Sequence, residues 1–287
     1  MTNTPTDVIF RIRRYDPQED SAPQWKEYRL PYTAGMTVLD GLRRIKETAS
    51  PTLAWRSSCR MGVCGSCGMF INGRPRLACN TQITELGTNL VLVAPLPNFQ
   101  TVRDLVPDLM PMFDAHAALH PHIIREDGAE QYAPTGEFFQ SAHEVEQYLQ
   151  FSYCIKCGCC MAACPTYATD SSYSGPMPLG QAHRYNADTR DGGFKARKSD
   201  LAGERGPWRC HYAGECSRVC PKGADPAKAI QLMKREMVLD YLHLLKHGCP
   251  AKVAGPHAGA KRRDGIPDAP PPTIDNAPKI VRAAVGD

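Results

Sequence analysis

The fold and the chemistry of this chain are decided by residues 154–165, which read CIKCGCCMAACP. The cysteines follow the spacing Cys-x2-Cys-x2-Cys-x3-Cys-Pro, which binds iron–sulfur clusters, and in two-cluster proteins the fourth cysteine ligates the other cluster. A cysteine before a proline must then lie elsewhere, and Cys220 meets this requirement. The spacing predicts a 4Fe-4S cluster on Cys154, Cys157, Cys160 and Cys220.

An incomplete second run precedes Cys220. Counting back four, seven and ten residues gives Cys216, Ala213 and Cys210, so alanine stands where the middle ligand is expected. With Cys164 crossing over, this site has three thiolates, and a cubane whose fourth iron has no protein ligand tends to lose that iron. We therefore predict a 3Fe-4S cluster on Cys164, Cys210 and Cys216. A fourth iron retained by water or another group is the alternative.

A further cysteine group lies in residues 57–68, SSCRMGVCGSCG, and has the spacing Cys-x4-Cys-x2-Cys followed by x11-Cys. This spacing is typical of plant-type 2Fe-2S sites. We expect the glycines of the stretch to let the backbone wrap around the cluster and aim N–H groups at sulfur. A structural zinc site is the alternative, but such sites usually pair two Cys-x2-Cys knuckles. The predicted 2Fe-2S ligands are Cys59, Cys64, Cys67 and Cys79.

Two of the 13 cysteines are left over, Cys159 and Cys249. Each is expected to be a small buried side chain or an idle thiol. A disulfide framework is disfavoured, because the grouped cysteines are only two or three residues apart and the chain shows no secretory signal.

The first hundred residues predict a small mixed sheet crossed by one helix. Apolar residues alternate over 8–15 and 25–32, a helical pattern begins at Thr37, and Asn72-Gly73 favours a hairpin turn before a strand at 89–94. Prolines then punctuate the chain, and helices interrupted by cysteine loops follow. The predicted class is α+β, with an N-terminal domain over 1–105, a helical domain over 106–249 and an extended Pro/Ala-rich tail over 250–287.

Two helix starts in the second half have capping signals. Ser141 with Glu144 forms a capping-box pattern, and Asp225-Pro226 begins the last helix. The apolar stripe predicted for that helix consists of Ile230, Met233, Met237, Tyr241 and Leu244.

Composition excludes several classes of function. Lys+Arg number 34 against 30 Asp+Glu, a net +4 with no basic patch, so no nucleic-acid partner is expected. No apolar stretch approaches the roughly 20 residues of a membrane span, and the N-terminus lacks signal-peptide features, which favours a bacterial cytoplasmic location. No dinucleotide fingerprint, P-loop or acid–base constellation appears, so the chain is expected to conduct electrons and leave bond chemistry to a partner.

The three cysteine groups in this order, with the alanine gap, resemble the iron–sulfur subunit of the succinate dehydrogenase and fumarate reductase family. The resemblance covers roughly residues 8–247 and includes 183–186 (HRYN), Asp188, 190–191 (RD) and 220–223 (CPKG). It implies an N-terminal 2Fe-2S beta-grasp domain and a C-terminal helical ferredoxin-like domain with two cubane-type clusters.

The resemblance also implies partners. These are a flavoprotein with covalent FAD that interconverts succinate and fumarate, and a membrane anchor that binds quinone and in some members heme b. Electrons would pass from FAD through 2Fe-2S and 4Fe-4S to 3Fe-4S and on to quinone, or in reverse. The chain would then lie at the cytoplasmic face of the bacterial membrane, held there by the anchor.

The segment after Cys164 departs from the ubiquinone-linked members, in which a serine follows the Cys-Pro and a tryptophan pair comes soon after. This departure and the HRYN stretch lean toward menaquinone. For Thr166 and Tyr167 the alternative is packing, and for His211 it is a hydrogen bond to a cluster sulfur or to backbone. The quinone-proximal candidates are Pro165, Thr166, Tyr167, Thr169 and His211.

Three alternatives stay open. The first is quinol:fumarate reductase within the same family. The second is the electron-transfer subunit of another flavoprotein, such as a thiol-linked fumarate reductase or a glycolate-oxidase type enzyme, although those relatives often carry an additional cysteine-rich domain and residues 250–287 contain no cysteine. The third is a free ferredoxin-like carrier, which has no need of two domains and a long tail.

Overall fold

The computed structural model describes residues 6–125, 137–138, 140–245 and 253–254. Its N-terminal part is a five-stranded sheet with the order β2-β1-β5-β3-β4. The central strand β1 pairs antiparallel with β2 and parallel with β5, while β3 pairs antiparallel with both β4 and β5. The strands are β1 Asp7–Arg14, β2 Gln24–Pro31, β3 Gly68–Ile71, β4 Arg74–Leu77 and β5 Leu90–Ala94.

One helix, α1 Val38–Thr48, crosses this sheet. It begins at Thr37, which forms a capping box with Asp40, and its buried face continues the sheet core. A Cβ on Gly41 would lie 2.0 Å from the Phe10 ring, so glycine permits the close contact between helix and sheet. The predicted mixed sheet with a helix across it is confirmed.

The hairpin at Asn72 and Gly73 also forms as expected, with positive φ values of 45° and 78°. Its second strand, Arg74–Leu77, ends where the 3-10 helix Ala78–Asn80 begins. Cys79 lies in this 3-10 helix.

Helices dominate the second half, as the predicted α+β class requires. The two predicted caps are present: Ser141 accepts a hydrogen bond from the Glu144 amide, and Asp225 accepts one from Lys228. The helices are α2 Met110–Ala118, α3 Ala142–Ser152, α4 Cys159–Ala162, α5 Pro165–Thr169, α6 Pro176–Asn186, α7 Phe194–Ala202, α8 Glu215–Arg218 and α9 Pro226–Tyr241, with 3-10 turns at Ile83–Leu86 and Pro207–Arg209.

The predicted stripe of α9 is wrong at its C-terminal end. Ile230 and Met233 are fully buried where α9 packs against α6, but Tyr241 is 79% exposed and Leu244 is 69% exposed. The helix ends at Tyr241, so Leu244 no longer follows helical spacing.

Two short strand pairs lie outside the main sheet. The hairpin of β6 Thr101–Arg103 and β7 Val106–Pro107 straddles residue 105, so the division of the chain there stays a prediction. Strand β8 Glu137–Phe138 pairs with β9 Val253–Ala254, and the extended tail over 250–287 stays a prediction. Cys249 and the rest of 250–287 lie outside the described residues.

The HRYN-to-RD stretch forms part of a buried ion-pair network. Arg197 on α7 is fully buried and donates through Nη1 to Asp191 Oδ1 at 2.7 Å and to Asn186 Oδ1 at 3.1 Å. The same guanidinium donates to the carbonyls of His120 and His122. Because breaking a buried pair leaves an uncompensated charge, these residues stabilise the helical packing behind the cysteine loops.

The sheet and the helices share one core at their junction. Asn98, in a left-handed backbone conformation with φ of 66°, donates through Nδ2 to the carbonyls of Met161 at 3.0 Å and Ala162 at 3.1 Å. These carbonyls belong to α4, whose Cys159 packs with the sheet residues. Asn98 therefore caps the C-terminal end of the helix that carries the predicted cluster ligand Cys160.

Replacing Asn98 by Ala should destabilise this junction. The substitution removes the hydrogen bonds and puts alanine, which tolerates the left-handed region less well than asparagine, at a positive φ, so we expect a loss of about 2–3 kcal/mol. Melting of the purified cluster-loaded complex, followed by circular dichroism, measures the effect. Asn98→Gly is the matched control, because it loses the amide but tolerates the backbone, and should cost about 1–2 kcal/mol. Identical melting of both variants and wild type would contradict this role.

Candidate iron–sulfur centres

The first cysteine loop directs backbone N–H groups at its thiols. The amides of Val63 and Cys64 each donate to Cys59 Sγ at 3.3 Å, and the Gly62 amide donates to Cys79 Sγ at 3.3 Å. Such donors stabilise the excess negative charge of a thiolate-bound cluster. The expected aiming of N–H groups at sulfur is therefore present in this loop.

The loop has an exposed side and a buried side. Hydrogen bonds from Met61, then Cys64 and Val63, lower the pKa of the exposed-side thiol Cys59 to about 6. Burial raises the pKa of Cys67 to about 12, and its Sγ lies 3.2 Å from that of Cys79. The structure thus brings the four predicted ligands onto one loop and the adjoining 3-10 turn.

A cavity of about 450 Å³, counted out to its open mouth, lies between the second cysteine run and the start of α9. Its walls include Pro176 and Gly180 of α6 and the charged Lys222. The four cysteines that line it are those predicted to bind 4Fe-4S, namely Cys154, Cys157, Cys160 and Cys220.

A second cavity contains the other predicted set. Cys164, Cys210 and Cys216 line it, and Ala213 lines it beside them. The alanine therefore occupies the wall where a fourth thiol would stand. The Cys164 thiol accepts from the Tyr167 amide at 3.4 Å, so N–H donation to sulfur recurs here.

The thiols in both cavities are chemically suited to iron. Burial first, and then neighbouring thiols, raise the pKa of Cys160 well above its usual range and that of Cys216 to about 11. A bound metal compensates this cost, because it holds a coordinating thiol in the deprotonated form. Within the described ranges, no three His, Cys, Asp or Glu side chains converge as on a single metal ion. Iron–sulfur clusters, whose ligands are spread over several irons, are the groups that these residues fit.

The three centres are in contact through the protein. A Cβ on Gly65 of the first loop would lie 2.9 Å from Cys157 Cβ, which lines the larger cavity. Pro176 lines both cavities. The order in space is therefore the first loop, the four-cysteine cavity and the three-cysteine cavity.

The predicted quinone-proximal residues divide into two groups. Pro165, Thr166 and His211 line the three-cysteine cavity, with Thr166 buried and His211 exposed. Tyr167 is buried and stacks at a tilt against Phe99. Thr169 is exposed, and its hydroxyl donates to the carbonyls of Pro165 and Thr166.

Sequence reasoning missed two residues at these centres. Tyr173 is 1% exposed and lines the three-cysteine cavity, and burial followed by the charges of its thiols raises its pKa. Asn98 joins the sheet to α4. Its place after Pro97 is a turn signal, whereas nothing local in the sequence marks Tyr173.

Comparison with known families identifies the class. A family model described as "2Fe-2S iron-sulfur cluster binding domain" matches residues 9–114, and one described as "4Fe-4S dicluster domain" matches 150–224. Fold and centres together define a multi-cluster iron–sulfur protein. These matches disfavour the zinc alternative for the first group.

The relatives narrow this class. The chain is 43% identical over 227 residues to the fumarate reductase iron-sulfur subunit of Mycobacterium tuberculosis, covering 79% of this chain and 91% of that protein. It is 42% identical to the subunit of the same name from Escherichia coli O157:H7, with coverages of 81% and 94%. The mitochondrial succinate dehydrogenase [ubiquinone] iron-sulfur subunit of Candida glabrata is 36% identical, with coverages of 83% and 94%.

A solved structure agrees with these relatives. A chain of the Mycobacterium smegmatis Sdh1 complex in the apo form matches with a TM-score of 0.69 at 28% identity, covering 83% of this chain and 97% of that chain. The present chain belongs to the family of fumarate reductase and succinate dehydrogenase iron–sulfur subunits, components of an oxidoreductase complex. The family resemblance predicted from the cysteine groups is confirmed.

Two further findings concern the described residues alone. The twelve cysteines there are all free of disulfide bonds, and Cys159 is fully buried. Among the helices in those ranges, none has the length and apolar character to cross a membrane.

Proposed function

We propose that this chain carries electrons between a flavoprotein subunit with covalent FAD, which interconverts succinate and fumarate, and a membrane quinone. Each bound cluster supplies one-electron transfer. In this proposal Cys59, Cys64, Cys67 and Cys79 hold 2Fe-2S, Cys154, Cys157, Cys160 and Cys220 hold 4Fe-4S, and Cys164, Cys210 and Cys216 hold 3Fe-4S.

The observation that carries the proposal is that the three centres are in contact one after another through the protein. The first loop packs on Cys157, and the two cavities share Pro176 as a wall. A protein that only stored clusters would not need its three centres to be in contact with one another. The backbone N–H groups at the sulfurs hold the clusters in position and stabilise their reduced charge.

The quinone end is proposed at the three-cysteine cavity. Pro165, Thr166 and the exposed His211 line it, which supports quinone contact on this side, at an anchor subunit that holds the chain at the cytoplasmic face of the membrane. The absence of a tryptophan pair after Cys164 favours menaquinone. Heme b, where the complex has it, would belong to the anchor.

Quinol:fumarate reductase is the second candidate. It is favoured by the relatives at 40–43% identity, which bear the name fumarate reductase iron-sulfur subunit. In one direction succinate reduces the clusters, and in the other fumarate oxidises them. The same complex serves to test both directions.

The test uses the native membrane complex under anaerobic conditions. Succinate should reduce the clusters, as recorded by electron paramagnetic resonance, and malonate should suppress the reduction. A matched sample receives a menaquinol analogue and then fumarate, which measures the reverse direction. Clusters that stay oxidised with succinate yet accept electrons from dithionite would contradict the proposed donor and place the chain with another flavoprotein.

A further inference from the structure

The hydroxyl of Tyr173 is a buried polar group that forms no hydrogen bond of ordinary geometry with the residues that the structure describes. Its side chain is 1% exposed. An unsatisfied buried hydroxyl costs about 1–3 kcal/mol. A group bound in the adjoining cavity would remove that cost.

The cavity beside Tyr173 contains sulfur chemistry. Cys164, Cys210 and Cys216 line it together with Tyr173, and after burial the Cys210 thiol is the largest cause of the raised pKa of Tyr173. A tyrosine hydroxyl is protonated at neutral pH and can therefore donate to sulfur.

Other donors already gather around Cys210. The Tyr212 amide donates to its Sγ at 3.4 Å, Gln231 Nε2 lies 3.9 Å from the same sulfur, and Lys234 donates to its carbonyl at 2.9 Å. The side of the cavity near Tyr173 is therefore organised to stabilise negative charge.

The loop that carries Tyr173 is held firmly in place. The Tyr173 amide donates to the Asp170 carbonyl at 3.2 Å, and the Ser174 amide donates to the Arg205 carbonyl at 3.0 Å. Asp170 in turn forms an ion pair with Arg209, next to Cys210. Because the loop is held in place, the Tyr173 hydroxyl is positioned before any cluster binds. Little conformational entropy is then lost when it donates to a bound group.

We propose that the Tyr173 hydroxyl donates a hydrogen bond to a sulfur of the cluster held by Cys164, Cys210 and Cys216, and thereby favours its reduced state. This inference rests on the proposed 3Fe-4S site. Reduction places an additional electron on the iron–sulfur core, so a donor to sulfur stabilises the reduced form more than the oxidised form. Tyr173 acts as a positioning and tuning residue for the cluster.

Tyr173→Phe in the assembled complex is the test, because it keeps the ring and removes only the hydroxyl. Redox titration followed by the oxidised 3Fe resonance should show a lower midpoint potential. At a fixed ambient potential we expect the ratio of reduced to oxidised cluster to fall about three- to tenfold, where tenfold corresponds to about 59 mV for one electron. The potentials of the other two clusters should not change.

Tyr148→Phe is the matched control. Tyr148 is also buried in the helical region, but its hydroxyl donates to Gln140 and it does not line the cavity. Its loss should leave the 3Fe potential unchanged. An equal shift of the 3Fe potential in both variants would overturn the proposal, because the shift would then come from a general loosening of the helical region.

A second measurement tests the hydrogen bond without depending on the variant's stability. Hyperfine spectra of the wild-type cluster in H2O and D2O should show several exchangeable protons coupled to the cluster, among them the amide protons of Tyr167 and Tyr212, and a folded Tyr173→Phe complex should lack one of them. The same set of exchangeable protons in wild type and Tyr173→Phe, or an unchanged potential while the 3Fe signal is present, overturns the role of Tyr173. Absence of any oxidised 3Fe signal in wild type would instead overturn the proposed site.

Discussion

Replacing Ala213 by Cys is expected to convert the three-cysteine centre into one that keeps a fourth iron. Ala213 lines the same cavity as Cys164, Cys210 and Cys216, so a thiol at this position would complete the ligand set. The iron content should rise by one per chain, and the oxidised 3Fe resonance should disappear. An additional thiolate makes the centre harder to reduce, because cluster type and net charge set the potential.

The functional consequence of Ala213→Cys should be slower quinone reduction. Each tenfold change in the redox equilibrium corresponds to about 59 mV for one electron, and we expect at least a tenfold loss of succinate-to-quinone activity. Reduction of an artificial dye at the flavin should continue at the wild-type rate. Ala213→Ser is the control of similar size, and it should keep the 3Fe resonance. Unchanged iron content and resonance in the cysteine variant would contradict the inferred geometry of this wall.

Much of the arrangement was predictable because ligand spacing is a local property. The spacing of Cys154, Cys157 and Cys160 predicts one shared cluster, and the x3 gap before Cys164 predicts that Cys164 ligates the other cluster and that Cys220 completes the first. The α+β class was equally accessible, since alternation over β1 and the cap at Thr37 report on single elements.

The remaining features depend on tertiary contacts that no local pattern records. Tyr173 meets the cavity only because its loop is tied to residues near Cys210, and Asn98 meets α4 across the junction. The exposed end of α9 is the converse case. Tyr241 and Leu244 are apolar residues at helical spacing. A side chain is buried, however, only where another element packs against that face of the helix.

Gly65 should be the most sensitive position of the contact between the first loop and the helical region. Its φ is 76°, and a Cβ there would lie 2.8 Å from the Ile155 carbonyl oxygen and 2.9 Å from Cys157 Cβ. Two backbone segments therefore meet at a separation that only glycine permits. Gly65→Ala must move one of them, which lengthens the path between the first loop and the larger cavity.

The matched control for Gly65→Ala is Gly73→Ala. Gly73 has a similar φ of 78° in the β3–β4 turn, but nothing lies within 4 Å of its added Cβ. Both variants strain the backbone by about 1–2 kcal/mol, so their difference isolates the close contact. We expect Gly65→Ala to lose about 3–5 kcal/mol in all, as a steric clash with backbone adds to that strain.

Electron transfer distinguishes the two glycine variants further. In rapid-freeze resonance experiments on the assembled complex, Gly73→Ala should pass electrons from the first centre to the second at the wild-type rate. Gly65→Ala should slow this step about tenfold or more, or assemble without its 2Fe-2S signal. Both outcomes follow from displacing the first loop from Cys157. Equal stability and equal transfer rates in the two variants would mean that the loop adapts, and that the contact at Gly65 does not set the distance between the centres.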